Sequence, residues 1–435
     1  MSKVKHNTFP STGLFDLVRL LGGFSYALFR HPSSVTPGLI LCEWIWGLVR
    51  RRKSEAIVVN LFFKKVLLVT GKEFSMNILE GPPSTQSYTA GRTKVNGMSF
   101  LAPKGLTICD DDKWRRLRPL NEQVLDIGAS RELQQATLDA VDQAFSEPVS
   151  NINDLGNCMG KVMLGVVFGG APAHLAEDVN VLFDYVQNPV KRKIFGPKQR
   201  GRRDRFYSTI NHLLEDNDRP LCPHLMERAH ALSAGEDLRQ DELAQQIPHW
   251  MFTFTASGTA LLSRTLAMVG SRTDVMGRVR DEIDSVGPLD QPSSIGRLRF
   301  VEACIFETGR LFPPVTKTIH VALKGEMFHE YLVPPGMEIF HYFPANNRNN
   351  EFDPLANHFK PERWLDPGSG TRLGYPNLFL SGARACPGED LILFVCKAAI
   401  AFLTEQQRLR LVSDRLAIDP LPFEFPEKSI RLNHN

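Results

Sequence analysis

Residues 247–270, IPHWMFTFTASGTALLSRTLAMVG, carry one formal charge, Arg264, in twenty-four positions. About 20 apolar residues suffice to cross a bilayer. Arg264 and the scattered Ser and Thr hydroxyls argue instead for a core helix, enclosed by protein on all sides. Such a helix needs a large body around it. With 435 residues, 43% hydrophobic and 23% charged, the chain can build one, and it is too polar for a membrane bundle.

The rest of the chain supports a mainly α fold with a small β part. From about 110 to 310 the pattern is mostly helical. DDDKWRRLRPLNEQVL opens on acidic residues that suit a helix N-terminus, and LRFVEACIFETGRLF (298–312) is amphipathic and stopped by Pro313-Pro314. EDLILFVCKAAIAFLTEQ (389–406) places Leu391, Phe394, Val395, Ala398 and Phe402 on one helical face. AIVVNLF (56–62) and KKVLLVTG (64–71) read as paired strands. HVALKG (320–325) and MEIFHYF (337–343) read as two more, with a turn at Pro334-Pro335-Gly336. Residues 30–435 are expected to form one large domain, and residues 1–29 an amphipathic extension docked on it. GLFDLVRLLGGFSYALF (13–29) is broken by Asp16 and Arg19, too charged for a spanning helix, and lacks a signal-peptide cleavage pattern; peripheral membrane contact is the most it suggests. KRKIFGPKQRGRRDRF (191–206) holds eight Lys or Arg residues and reads as a solvated loop between helices. No fold motif or interleaved aromatics accompany it, so nucleic acid is not an expected partner.

Seven scattered cysteines, never in a CxxC pair, argue against a disulfide framework or zinc ribbon and for a reducing, cytoplasmic compartment. Cys386 stands apart, in FLSGARACPGEDL. No histidine lies near enough in that segment to act as a base for a nucleophilic thiol, and no short-spaced ligands accompany it for zinc. Gly382 and Gly388 flank it without a Cβ, so the backbone can approach a large flat group closely. The helix that follows offers free N–H groups to an anionic sulfur. An axial thiolate on haem iron fits these features, with Arg384 able to reach a propionate.

At these residues the chain resembles the cytochrome P-450 family, whose haem loop is F-x-x-G-x-R-x-C-x-G. Phe379, Gly382, Arg384, Cys386 and Gly388 match every fixed position. Three more features arrive in the family's order. Glu307 and Arg310 match its E-x-x-R, Arg363 in PERW matches a third arginine, and the resemblance implies a Glu307–Arg310–Arg363 cluster bracing the haem loop. Trp114 and Arg118 match a W-x-x-x-R that contacts a propionate. His320 falls where the family usually has a propionate-binding arginine, a bond that a histidine ring can also donate. On the 247–270 helix, Thr255-Ala256-Ser257-Gly258-Thr259 falls at the family's oxygen site, where Thr259 matches a proton-delivering threonine. The acid that usually precedes this threonine is replaced by Gly258, which leaves Ser257, Thr255 or water as alternative relays.

The resemblance implies a soluble, bacterial-type haem b monooxygenase that uses O2 on a lipophilic small molecule, such as a terpenoid or polyketide of secondary metabolism. Pocket candidates by family position are Phe100, Leu101, Phe254, Ala256, Val315 and Thr316. The chain carries no flavin, dinucleotide or iron–sulfur fingerprint, so a separate ferredoxin or flavodoxin-type donor is implied, with Lys113, Arg115 and Arg116 as a landing face. Gly258 keeps open an atypical reaction on the same fold: peroxide-driven oxidation, dehydration or isomerisation. A non-catalytic haem-binding sensor is the other alternative.

Overall fold

The computed structural model describes residues 8–30, 36–61, 64–70, 75, 88–109, 111–146, 149–215, 224–233, 239–328, 330–365, 378–380, 382–405 and 410–432. Phe62, Gly71, Asp110, Cys222 and Gln406 therefore lie outside the described residues. The helices that bear on the site are, in chain order, α1 (Leu14–Arg30), α2 (Pro37–Arg52), α3 (Arg92–Leu101), α4 (Asp111–Leu125), α5 (Arg131–Phe145), α6 (Ile152–Phe168) and α7 (His174–Gln187). Then come α8 (Pro189–Phe195), α9 (Arg200–Glu215), α10 (Ile247–Phe252), α11 (Thr259–Gly270), α12 (Arg299–Leu311) and α13 (Glu389–Glu405). The chain divides into two compact units.

The first unit comprises residues 1–92, 306–386 and 414–429. It contains a five-stranded sheet in the order β1-β2-β7-β4-β3, built from β1 (Ala56–Leu61), β2 (Lys64–Val69), β3 (Tyr88–Ala90), β4 (Lys317–Ala322) and β7 (Glu338–Tyr342). β2 and β7 run parallel and the other pairs antiparallel. Successive residues of β1 and β2 serve opposite faces. Ala56, Leu67 and Val69 pack with Phe9, Tyr88, Val333 and Ile339, while Ile57, Val59 and Leu68 pack with Cys42, Ile45 and Leu48 of α2. Both faces are covered, so these strands read as continuous apolar runs. A small hairpin that the sequence did not announce, β5 (Glu326–Phe328) with β6 (Tyr331–Val333), follows β4.

α1 docks on α2 through its one buried acid. Asp16 accepts from Arg51 at 3.0 Å, Arg52 at 2.8 Å and the Gly13 N–H at 3.1 Å, and its carbonyl accepts from the Trp44 indole at 2.6 Å. Its outer face leaves Leu14, Phe15, Val18 and Leu21 exposed.

Among the described residues of the second unit, residues 93–305, 387–413 and 430–435, the short pair β8 (Leu411–Val412) and β9 (Arg431–Leu432) is the one departure from a helical build. α13 lies at its centre, with every residue from Leu391 to Thr404 buried. The one-face periodicity of this helix thus understates its environment. Lys397 is tolerated there because it donates to Glu302 at 3.0 Å and to the Gly296 carbonyl at 3.3 Å.

The basic stretch is helical, a correction to the expected loop. Asn188 caps α8 by accepting from the Lys191 N–H, Pro189 supplies its first turn, and a 3-10 segment leads into α9. Its charges are largely engaged. Arg202 and Arg205 converge on fully buried Asp178 of α7 at 2.7 and 2.6 Å, Lys191 pairs with Asp184, and Arg192 donates to the Tyr185 and Val186 carbonyls.

Candidate functional site

In the first unit the site is a loop around Cys386. Cys386 is half-buried, whereas Cys42, Cys109, Cys158, Cys304 and Cys396 are buried. Its N–H donates to the Phe379 carbonyl at 2.7 Å, and Ala385 N–H to the Gly382 carbonyl at 3.0 Å, closing the loop on itself. The closure requires positive φ at Leu380 (63°) and Gly382 (65°). Glycine adopts that conformation freely; for a leucine it stores strain, of the kind that accumulates at binding sites. Arg384 is half-buried.

The loop is tied to α12 by ring packing. Phe379 meets Phe306 edge-on at 6.1 Å, Phe306 stacks on Trp364 at 5.1 Å, and the Trp364 indole donates to Glu307 at 2.9 Å. Leu378 lies so close to Gly309 that a Cβ there would collide with its methyl group. Glu307, fully buried, also accepts from Arg310 at 2.7 and 2.8 Å, from Arg363 at 3.2 Å and from the Lys360 N–H at 2.9 Å. Arg310 spends its other N–H groups on the carbonyls of Asn347, Ala356 and His358, and Arg363 on Asp353 and the Leu355 carbonyl. A buried ion pair is tolerated only with such complete satisfaction.

His320 lies on β4, buried, its ring 5.9 Å from that of His341 on β7. The sequence reading passed over His341. Its Nε2 is buried and has no hydrogen-bond partner, and burial lowers its pKa to about 4. The available signal was an imidazole inside the apolar strand MEIFHYF. Val315 and Thr316, just before β4, are exposed.

In the second unit the 247–270 run is not one continuous α-helix. α10 and α11 are joined by a π-helical turn, Thr253–Gly258, a feature frequent at functional sites. Thr259 N–H and hydroxyl both point back to the Phe254 carbonyl, the hydroxyl at 3.0 Å. Thr253 and Ser257 likewise donate to the His249 and Thr253 carbonyls, while Thr255 Oγ1 is buried without a partner. A Cβ at Gly258 would lie 2.9 Å from the Thr253 carbonyl, so the widened turn leaves no room for the acid expected there. Ala256 is accessible, whereas Phe254 is 1% exposed and packs as a core residue.

Other pocket candidates divide the same way. Phe100 is half-buried and stacks with Tyr185 at 6.0 Å; Leu101 has no exposed surface. On α4, Trp114 is buried and Arg118 donates to Glu122 at 2.6 Å. Arg116 grips Glu242 with two 3.0 Å bonds and Arg115 pairs with Asp112, while Lys113 is exposed. Gly388 is buried one residue before α13, with the Leu125 side chain 3.7 Å from the position of a Cβ.

The cysteine loop suits an axial thiolate on haem. Cys386 is the one described cysteine that is not buried, and its N–H closes the loop on the Phe379 carbonyl.

Comparison with known proteins agrees. A family model described as Cytochrome P450 matches residues 131–414. Cytochrome P450 monooxygenase 91 of Postia placenta is 28% identical over 232 residues, 47% of this chain and 43% of that one. Isoleucine N-monooxygenase 1 of Lotus japonicus is 32% identical over 160 residues, 34% and 30% of the two chains. Cyclooctat-9-en-7-ol 5-monooxygenase of Streptomyces melanosporofaciens is 29% identical over 190 residues, 42% and 40%. The matches thus span less than half the length of these curated relatives. The crystal structure of a cytochrome P450, CYP102L1, superposes with a TM-score of 0.73 at 17% identity, covering 94% of each chain.

Proposed function

Because the chain belongs to the cytochrome P450 family, whose members hold haem b through a cysteine, we propose that it is a haem-thiolate monooxygenase inserting one oxygen atom of O2 into a lipophilic small molecule. The observation that carries this reading is accessible Cys386 in a loop closed by its own N–H and tied by Phe379 and Phe306 to the buried Glu307–Arg310–Arg363 cluster. When bound, the haem supplies the oxidising chemistry; the protein supplies orientation and protons.

Cys386 would be the iron ligand, and Arg384 and His320, with Trp114 and Arg118 on α4, would bind the propionates. Thr259 would steer protons. Its hydroxyl donates to the Phe254 carbonyl and keeps its lone pairs free to accept a bond from water. With Gly258 in place of an acid, Ser257 and Thr255 are the nearest hydroxyls to extend that relay. By family position Phe100, Ala256, Val315 and Thr316 would contact the substrate, and each keeps accessible surface. A terpenoid is the proposed substrate, in keeping with the Streptomyces relative, which is named for an alcohol on a hydrocarbon skeleton. Secondary metabolism is the corresponding setting.

Electrons would come from a ferredoxin or flavodoxin-type protein. With Arg115 and Arg116 engaged by acids, Lys113 is the residue left to face it. The absence of room for an acid at Gly258 favours, as a second reading, a peroxide-driven or non-hydroxylating reaction on the same haem. Residues 30–435 would form the catalytic domain. No described helix is long and apolar enough to cross a membrane. The proposed setting is cytoplasmic, with the exposed apolar face of α1 as the place for peripheral membrane contact.

Cys386→Ser tests the central claim. The reduced, carbon-monoxide-bound protein should show a thiolate Soret band, and the variant should lose it. An unaltered band in the variant overturns the reading. Turnover that needs a reduced ferredoxin or flavodoxin and O2, rather than peroxide, separates the first reading from the second.

A further inference from the structure

Trp364 differs from the other groups that brace the cysteine loop, because bracing leaves its chemistry unused. It ends a single 3-10 turn, Pro361–Trp364, and keeps accessible surface beside exposed Leu365. Its ring stacks on Phe306 of α12, with centroids 5.1 Å apart and planes at 20°. Phe306 is 2% exposed and meets Phe379 edge-on at 6.1 Å. The Phe379 carbonyl accepts the Cys386 N–H at 2.7 Å. Three rings and one hydrogen bond thus run from partly open surface to the thiol-bearing residue, all within the first unit.

Packing alone would be served as well by phenylalanine at 364. Indole adds two properties. It is the one ring of the three that gives up an electron readily, since phenyl rings are far harder to oxidise. Its N–H also donates at 2.9 Å to the Glu307 carboxylate, which has no solvent contact. A carboxylate that accepts from a group favours that group's positively charged form. Arg310 and Arg363 share the same carboxylate, and Arg363 also binds Asp353 at 2.6 Å. Two acids therefore balance two guanidinium groups, and the surroundings of the indole carry no net positive charge to oppose its oxidation.

We propose that Trp364 is redox-active. With substrate absent, it passes one electron through Phe306 and Phe379 to haem that peroxide has oxidised, and it recovers that electron from a small phenol at the protein surface. Two such turns balance. Hydrogen peroxide takes two electrons and two protons and leaves as two waters. Each of two phenols gives one electron and its hydroxyl proton and leaves as a phenoxyl radical. The assignment rests on the haem-thiolate reading and adds a further activity to it, one-electron oxidation of phenols, by which oxidising equivalents leave before they destroy the haem.

Electron paramagnetic resonance tests it. Ferric holoenzyme labelled with ring-deuterated tryptophan is mixed with hydrogen peroxide, without substrate, and frozen during turnover. The wild type should show an organic radical whose hyperfine structure narrows with the label. Its β-methylene couplings, set by side-chain torsion, identify Trp364 among the five tryptophans even if no variant folds. Trp364→His keeps an N–H for Glu307 but has no readily oxidised ring. It should lose the radical, oxidise phenol severalfold more slowly and bleach its haem faster, while its reduced, carbon-monoxide-bound form keeps the thiolate Soret band. Trp364→Tyr should restore phenol oxidation and give a tyrosyl signal instead. A wild type without a tryptophan radical overturns the assignment. So does a tryptophan radical that survives in Trp364→His, or equal phenol oxidation and bleaching in all three proteins; in each case the haem reading stands. A wild type that lacks the thiolate Soret band overturns both.

Discussion

Glu307 accepts five hydrogen bonds on one carboxylate with no solvent contact. Removing its charge leaves the buried Arg310 guanidinium without a carboxylate, whereas half-buried Arg363 keeps Asp353. Glu307→Gln should therefore lower unfolding stability by roughly 3 kcal/mol, read as a fall in the denaturant midpoint, with weaker haem retention. Thr259 bears on the reaction instead of on folding. Thr259→Ala should leave the midpoint nearly unchanged and raise the fraction of electrons released as hydrogen peroxide; unchanged peroxide yield and product formation would remove Thr259 from the relay. The pairing of Glu307 with Arg310 was legible, because i and i+3 share a helix face. That the Trp364 indole and the Lys360 N–H complete the carboxylate was not, since their positions depend on how a segment fifty residues away folds back. His249 and His341 escaped notice for a related reason. A histidine in an apolar run looks the same whether its nitrogens are satisfied or not, and only the surrounding packing tells.

At the level of elements, α1 is fastened by Asp16. Burial alone would raise this carboxyl's pKa, but the Gly13 N–H and the Arg52 and Arg51 guanidinium groups outweigh it, and the net shift is downward from 3.8. A depressed carboxyl contributes stability that is complete above its unfolded pKa and lost as pH falls through the lower folded value. α1 should thus stay docked at neutral pH and loosen below about pH 4. Asp16→Asn should lower the free energy of its local opening by about 1–2 kcal/mol at pH 7, measured by hydrogen exchange in α1 and by Trp44 fluorescence. The basic stretch carries the opposite lesson. Its charge density reads as a solvated loop, yet buried Asp178 recruits Arg202 and Arg205 and makes it part of a helical pair. Composition reports how many charges a segment has, and partners decide what they do.

For the molecule as a whole, two enclosed imidazoles tie stability to pH. His341 and His249 are held neutral, with pKa values lowered to about 4 and about 3 from 6.5. The unfolded chain binds their protons first as pH falls below 6.5, so stability is complete above that value and declines between pH 6.5 and about 4. For His341 the loss amounts to roughly 3 kcal/mol across that window. His341→Phe should flatten the decline in unfolding midpoint between pH 6.5 and 4.5, and an unaltered slope would show that the ring is solvated. The mainly helical class, the glycine-flanked thiol before a helix and the carboxylate–guanidinium pair one turn apart were all determined by the sequence, because each follows from rules acting within a few residues. Tertiary structure alone decided the π-helical turn that excludes an acid at Gly258, the capture of Arg202 and Arg205 by Asp178, and the imidazole nitrogens left without partners. Those outcomes depend on groups far apart in the chain, whose approach is set by close packing and by the need to satisfy buried polar atoms, and no local pattern records either.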